Sequence, residues 1–252
     1  GRDVLYCPDP TFVAVDLKYG PDGAVYFTDW SDRQHCHNPN TERWDRSSGR
    51  LYRMAYTANY KPVRVDLAKL TDVELVELQT HRHAWFSRTA RRLLHERDMA
   101  GKSTSATRNA LLNLARSAVD HHPRLNALWS LHAGNGLDET TVRFFLKDTD
   151  EHIRAWTIRL LTDDTSASPS LLRKMAELAK EDPSPIVRLS LASAIQRVPV
   201  ETGWQLVEAL ATHAEDATDR NLPGMIWFGL APLMAKDLDR AFTLAADSRI
   251  PA

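Results

Sequence analysis

Three side chains that could bind a metal follow one another in the chain: His35, Cys36 and His37. Three aspartates lie near them in the sequence, namely Asp29, Asp32 and Asp45. Zinc sites in proteins use four such ligands, or three ligands and a water molecule. Side chains at positions i and i+2 of an irregular loop need not converge, and no second spaced pair completes the set. The pattern therefore favours a solvated loop, with these three residues as the candidate ligands of any metal bound there.

Three carboxylates, Asp16, Asp22 and Asp29, are also candidates for general acid and base chemistry. Alternating residues around them predict β-strands, which separate their side chains, and Asp22 lies in a Gly-Pro-Asp-Gly turn. The sequence contains no Ser-His-Asp order, glycine-rich phosphate loop or Cys-x-x-Cys framework. We therefore predict no catalytic and no cofactor-binding residue in this chain.

The first quarter of the sequence predicts three antiparallel strands. Alternating, β-branched stretches span residues 12–19 and 24–30, and a third stretch spans 50–56. Gly20-Pro21-Asp22-Gly23 between the first two predicts a tight reversal, because proline presets φ and Gly23 can adopt a positive φ. A polar loop, 31–48, separates the second strand from the third. Three strands bury little apolar surface alone, so this sheet needs further strands or a helix against it.

From about Leu67 the apolar period changes to that of a helix and keeps it to the end. Four helices share an arginine in the first turn, at spacings of 36, 30 and 34 residues: Arg88, Arg124, Arg154 and Arg188. Each follows another apolar-periodic segment, and segments 204–211 and 225–234 add a fifth pair. Helix pairs repeating every 30 to 40 residues are typical of an α-solenoid. We therefore predict a mainly α protein, a solenoid of HEAT-like helix pairs preceded by a small three-stranded antiparallel segment.

The four arginines have two interpretations. They could bind acidic partners along a groove, or they could form a structural ladder with acids and carbonyls of the preceding turn. The ladder is favoured, with Asp148 or Asp150 as the partner of Arg154 and Asp182 as the partner of Arg188.

Aromatic and imidazole side chains of the helical part have structural interpretations. Trp85, Trp129 and Trp156 lie at helical spacing on apolar faces, which predicts core positions. Two histidine pairs are predicted in turns between helices: His81 with His83, and His121 with His122.

Charge and hydropathy exclude several classes of partner. Lys and Arg number 32 against 33 Asp and Glu, so the net charge of -1 provides no general field for nucleic acid. No apolar run reaches the roughly 18 residues that span a bilayer. The first residues, Gly1-Arg2-Asp3, have neither region of a signal peptide. The two cysteines, Cys7 and Cys36, could pair or stay free.

Several motifs occur in an order that resembles a known family. The strand block contains Val15-Asp16, the Gly-Pro-Asp-Gly turn, Tyr26, Asp29-Trp30 and Gly49-Arg50-Leu51-Tyr52-Arg53. The helical block begins with Trp85, Arg88-Thr89-Ala90 and Arg92-Leu93-Leu94-His95-Glu96-Arg97, and Ala127-Leu128-Trp129-Ser130-Leu131-His132 follows. Together they resemble the planctomycete-type membrane-bound dehydrogenases, in which HEAT repeats follow a β-propeller related to sorbosone and glucose dehydrogenases. The resemblance implies a partial propeller blade at residues 1–60 and about five HEAT-like helix pairs at 61–252.

The resemblance also implies a parent protein that is periplasmic or otherwise exported and uses a quinone-type cofactor and c-type haem. This chain has no Cys-x-x-Cys-His, and Val13 and Ala14 stand where relatives often carry an arginine, so we expect no cofactor here. We expect a non-catalytic scaffold whose partners are domains of the same parent chain or another protein, with no nucleic acid and no direct membrane span. In the alternative, loop 31–48 contributes to the active site of a quinone-dependent sugar or alcohol dehydrogenase.

Overall fold

The computed structural model describes residues 4–32, 47–164 and 167–250. Its first part is a three-stranded antiparallel sheet in the order β1-β2-β3, as the sequence predicts. The strands are β1 (Ala14–Tyr19), β2 (Val25–Asp29) and β3 (Arg50–Met54). The register between β1 and β2 shifts between Val15 and Lys18, where Asp16 has a φ of 53°. This bulge shortens the regular pairing at the edge of the sheet.

The turn between β1 and β2 has the predicted geometry. Gly23 has a φ of 74°, a conformation that residues with a Cβ rarely adopt. A Cβ on Gly20 would lie 2.2 Å from the ring of Tyr26, so this position also requires glycine. The Asp22 carboxylate accepts hydrogen bonds from the hydroxyls of Tyr26, at 2.8 Å, and Tyr60, at 3.0 Å. These contacts attach the turn to the segment that follows the sheet.

Eleven α-helices follow within the described residues, so the chain is mainly helical, as expected. They are α1 (Asp72–Glu77), α2 (Ala84–Met99), α3 (Ser105–Ser117), α4 (His121–Ala133), α5 (Glu139–Phe145), α6 (Glu151–Leu161), α7 (Pro169–Glu181), α8 (Pro185–Ala194), α9 (Val200–Leu210), α10 (Leu222–Met234) and α11 (Leu238–Asp247). The segments predicted from the sequence correspond to α1–α10, and α11 is an additional helix. None of these helices combines the length and the apolar character needed to cross a bilayer.

Polar residues at the N-caps explain where many helices begin. Thr71 and Glu74 form a capping box at α1, in which each side chain satisfies a backbone N–H of the other residue. Ser168 and Ser184 cap α7 and α8, and each is followed by a proline in the first turn. Proline suits this position because its missing N–H has no partner within the helix.

The helices pack in two rows. The even-numbered helices, α2, α4, α6, α8 and α10, contact one another in chain order. In the other row α1 contacts α3 and α7 contacts α9, and most helices also contact the next one in sequence. Apolar residues between the rows form two clusters that meet at α5, where Phe145 belongs to the first cluster and Val142 and Leu146 to the second.

One glycine shows how closely α10 approaches the end of α8, its neighbour in the even-numbered row, and it supports a stability prediction. A Cβ on Gly229 of α10 would lie 2.6 Å from Cδ1 and 2.9 Å from Cβ of Ile195. Because Cβ is tied to the backbone, Ile195 cannot swing aside. We expect Gly229→Ala to lower the free energy of unfolding by about 1–3 kcal/mol through overpacking, measured by urea denaturation.

Gly224 of the same helix provides the control. A Cβ there meets no atom within 4 Å, so Gly224→Ala is expected to stabilise α10 by up to about 1 kcal/mol through helix propensity. Equal effects of the two substitutions would show that the contact with Ile195 is not tight.

Candidate functional site

The proposed metal ligands His35, Cys36 and His37, together with Asp45, lie outside the described residues, as does the Cys36 half of any bond to Cys7. In the described part of the chain no three His, Cys, Asp or Glu side chains converge on a possible metal position.

Asp29 and Asp32 lie in the described structure, and both are buried. Asp29 accepts hydrogen bonds from the backbone N–H groups of Val13, at 3.0 Å, and Ser31, at 2.9 Å, through one oxygen of its carboxylate. Arg50 Nη1 lies 3.6 Å from its other oxygen. These contacts join the ends of the strands.

Three of the four arginines predicted to form a ladder are buried or nearly buried and carry acidic partners. Arg188 donates from Nε and Nη2 to both carboxylate oxygens of Asp216, at 2.6 and 2.5 Å. Arg154 binds Asp182 in the same two-point way, with both distances 2.8 Å. Arg124 donates to the Asp148 carboxylate. Such paired geometry is strong because both hydrogen bonds are charge-assisted.

The same aspartates also accept through their backbone. Arg154 Nη1 donates to the carbonyl of Asp148 at 2.8 Å, and Arg188 Nη1 donates to the carbonyl of Asp182 at 2.9 Å. Each of these arginines therefore joins the turn before its own helix to the corresponding turn of the next pair. We call this series, from Arg124 to Asp216, the arginine–aspartate ladder.

The carboxylate partners differ from those expected. Arg154 binds the carboxylate of Asp182 rather than that of Asp148 or Asp150, and Arg188 binds that of Asp216 rather than that of Asp182. The expected residues supply only carbonyls, and Asp150 instead caps α6. Hydrogen bonding to the aspartates raises the pKa of both guanidinium groups.

Arg88 does not belong to the ladder. Each ladder arginine lies four residues after the N-cap of its helix, whereas Arg88 lies five residues after His83, the N-cap of α2. One residue rotates a helical side chain by about 100°, which turns Arg88 away from the ladder position. Ser87 occupies that position, and Ala118 stands two residues before the α4 N-cap, where Asp148 and Asp182 precede α6 and α8. At α2 and α4, serine therefore replaces the ladder arginine and alanine replaces the ladder aspartate.

Arg88 instead lines a groove that runs across α2, α4 and α6 and encloses about 900 Å³. We call it the α2–α4–α6 groove. Its described lining includes three arginines, Arg82, Arg88 and Arg91, and one carboxylate, Asp120. Arg82 and Arg88 are exposed, and within the described chain neither has an acidic partner. The groove therefore carries an excess of positive charge on a chain that is almost neutral overall.

A series of cations and aromatic rings starts in this groove at Arg91 and continues through Trp129 and Trp156 to Arg159, which lies outside the groove lining. The Arg91 guanidinium lies 5.0 Å from the ring centre of Trp129, which meets Trp156 edge to face at 4.8 Å. Arg159 lies 4.3 Å from the ring centre of Trp156. Cation–π contacts of this kind stabilise by about 0.5–1 kcal/mol at exposed sites, so they hold the side chains in fixed orientations.

Arg91 is the most buried of the three arginines that line the groove. It is half-buried, and its hydrogen bond in the described structure goes to the neutral Oδ1 of Asn126, at 3.1 Å. Burial, with the like charge of Arg88 nearby, lowers the pKa of Arg91. Arg91 Nε and Trp129 Nε1 are buried donors without an acceptor among the described residues. Each such donor costs about 1–3 kcal/mol, a cost that an acceptor bound in the groove would reduce.

The sequence pattern does not indicate this site, because each of its parts has a separate structural explanation in the sequence. Trp85, Trp129 and Trp156 are half-buried and pack against the first apolar cluster, which agrees in part with the predicted core positions. Trp129 and Trp156 also line the groove. His121 and His122 form the first turn of α4 rather than a turn between helices. His83 caps α2, accepting from the backbone N–H of Trp85 at 3.2 Å. The spacing of the arginines does not single out Arg88, because the 36 residues from Arg88 to Arg124 depart less from 34 than the 30 residues from Arg124 to Arg154.

Comparison with models of known protein families gives no match for this chain, and a search of curated proteins gives none either.

Proposed function

We propose that this chain is a non-catalytic scaffold, in which about five HEAT-like helix pairs, residues 61–252, form an α-solenoid behind a partial propeller blade, residues 1–60. Its mechanism is geometric, because stacked helix pairs present partners at a fixed separation. The partners would be domains of the same exported parent protein or another protein. The resemblance of the motifs to the membrane-bound dehydrogenases supports this placement.

The arginine–aspartate ladder is the observation that carries the proposal. Its acceptors Asp148, Asp182 and Asp216 recur at intervals of 34 residues, and its donors Arg124, Arg154 and Arg188 at 30 and 34. A polar contact that repeats at the period of the helix pairs supports a repeat architecture, since it joins each pair to the next in the same way. The resulting connection also supports rigidity, which a spacer requires.

The distance between spin labels tests the spacer role. With Cys7 and Cys36 replaced by serine, labels are placed at the exposed positions Val73 of α1 and Asp239 of α11. We expect a single narrow distance distribution by double electron–electron resonance. Labels at Val73 and Met99, within the first helix pair, provide the control. A broad distribution for the long pair beside a narrow one for the control would contradict the scaffold.

A second assay addresses the alternative role of loop 31–48. The chain is mixed with a quinone cofactor, a redox dye and a panel of sugars and alcohols. The scaffold predicts no turnover. Turnover that disappears when residues 31–48 are deleted would instead favour the dehydrogenase active site.

A further inference from the structure

The α2–α4–α6 groove differs from the rest of the even-numbered row because its arginines do not face carboxylates in the part of the chain that the structure describes. Along the ladder each guanidinium faces a carboxylate of the next helix pair. At the groove, Ser87 and Ala118 occupy the ladder positions, so the local arginines have no such partner among the described residues. Arg82, Arg88 and Arg91 therefore present positive charge to whatever enters the groove.

The groove also contains a surface for apolar contact. Trp129, Trp156 and Leu160 contribute apolar area beside the cations, and Arg91, which lies over the Trp129 indole, is already oriented. Side chains held in place lose less conformational entropy when a ligand binds. Arginine clusters are a known means of recognising phosphorylated and acidic peptide motifs.

We propose that the α2–α4–α6 groove binds an acidic peptide segment of a partner protein, with its carboxylates on Arg82, Arg88 and Arg91 and an apolar side chain on Trp129 and Trp156. This inference rests on the proposed scaffold function and names the chemistry of its partner. A volume of about 900 Å³ lies at the upper end of ligand pockets, which suits a short peptide better than a single small anion.

The charges favour a peptide over single-stranded nucleic acid, which also combines negative charge with stacking groups. Nucleic-acid binding depends on neutralising many phosphates along an extended basic surface. Here the net charge is -1, and Asp120 lies among the lining residues. Three arginines match a few carboxylates of a short acidic motif.

Fluorescence anisotropy with a labelled peptide tests the proposal. The probe is a fluorescein-labelled Glu-Glu-Leu-Glu-Glu-Leu peptide, and its control has glutamine at every glutamate. We expect the glutamate peptide to bind at least about tenfold more tightly, with an affinity that falls as salt is added. Equal affinities for the two peptides would overturn the proposal.

Charge reversal locates the binding site. Arg88→Glu and Arg82→Glu change exposed side chains, so the fold should tolerate both, and each is expected to weaken the glutamate peptide about tenfold. Arg173→Glu makes the same change of net charge at an exposed position of α7, in the other row, and is expected to leave the affinity unchanged. Equal losses in all three variants would mean a non-specific charge effect and would also overturn the proposal.

An oligothymidylate in the same assay separates the two classes of macromolecule. Binding about tenfold tighter than that of the glutamate peptide, lost in Arg88→Glu, would assign the groove to nucleic acid and reject the peptide.

The spin-label experiment distinguishes failure of the groove proposal from failure of the scaffold proposal. A narrow long distance without peptide binding rejects the groove and retains the scaffold, whereas a broad distance rejects the scaffold whatever the peptide does.

Discussion

Replacing Asp216 with asparagine should lower the free energy of unfolding by about 3–5 kcal/mol, because the buried Arg188 guanidinium loses both hydrogen bonds to a buried carboxylate. The carboxylate that stays near it, Glu215, is exposed and lies 3.6 Å from Nη2, so it compensates the charge only weakly. The side chains of Arg188 and Asp216 are only 3% and 4% exposed, so water cannot replace the lost carboxylate. The Asp182 carbonyl, which Arg188 also contacts, is a dipole rather than a charge. Urea denaturation followed by circular dichroism measures the change.

An exposed pair supplies the matched control. On α2, Arg92 Nη1 lies 2.6 Å from Glu96 Oε1, and the two side chains are 62% and 52% exposed. Glu96→Gln should therefore lower the free energy of unfolding by no more than about 0.5 kcal/mol. The double variant Arg188→Met with Asp216→Leu should recover most of the stability, because it leaves no unpaired charge. A small loss in Asp216→Asn, similar to that of Glu96→Gln, would show that this ladder step does not stabilise the fold.

Truncating Phe145 to alanine should cost about 3–5 kcal/mol, because this ring is fully buried where the two apolar clusters meet. Helix α5 has only seven residues, so few other contacts hold it between its neighbours. The lost ring leaves a cavity that the surrounding side chains fill only in part. The measurement is again the free energy of unfolding in urea.

Phe144, the preceding residue, provides a close control. It carries the same side chain in the same helix, but it is 47% exposed and contacts Arg116 at 4.7 Å from the ring centre. Phe144→Ala removes that cation–π contact and should cost about 0.5–1 kcal/mol. If both alanine variants lost the same stability, the effect would come from helix propensity rather than burial.

Features that depend on neighbouring residues were predictable. The alternation around Val15 and Tyr26 indicated strands, and Gly23 in its turn indicated the reversal that the structure contains. The 3.6-residue period indicated the helices from α1 to α10 in order. Strand pleat, helix period and turn dihedrals all arise within a few residues, so they leave a readable pattern in the chain.

Features that depend on stacking were not predictable. The sequence placed Arg188 opposite Asp182, six residues before it, but the carboxylate comes from Asp216, 28 residues after it. Residues 28 positions apart in the chain come into contact here only because α8 and the turn at residues 214–218 lie side by side. The α11 helix was missed for a different reason, since its short amphipathic segment follows the irregular α10 with Pro232 inside it.

The sequence by itself determined the two kinds of secondary structure, their order, the near-neutral charge and which residue types recur along the helices. Only the tertiary structure decided which arginines are neutralised and which are left facing a groove. The physical reason is rotation: a shift of one residue turns a helical side chain by about 100°, so Arg88 and Arg124 differ in surroundings although both occur in the first turns of their helices. The spacing of residues along the chain shows the period of the helices. The packing of α2 against α4 determines which way the Arg88 side chain faces.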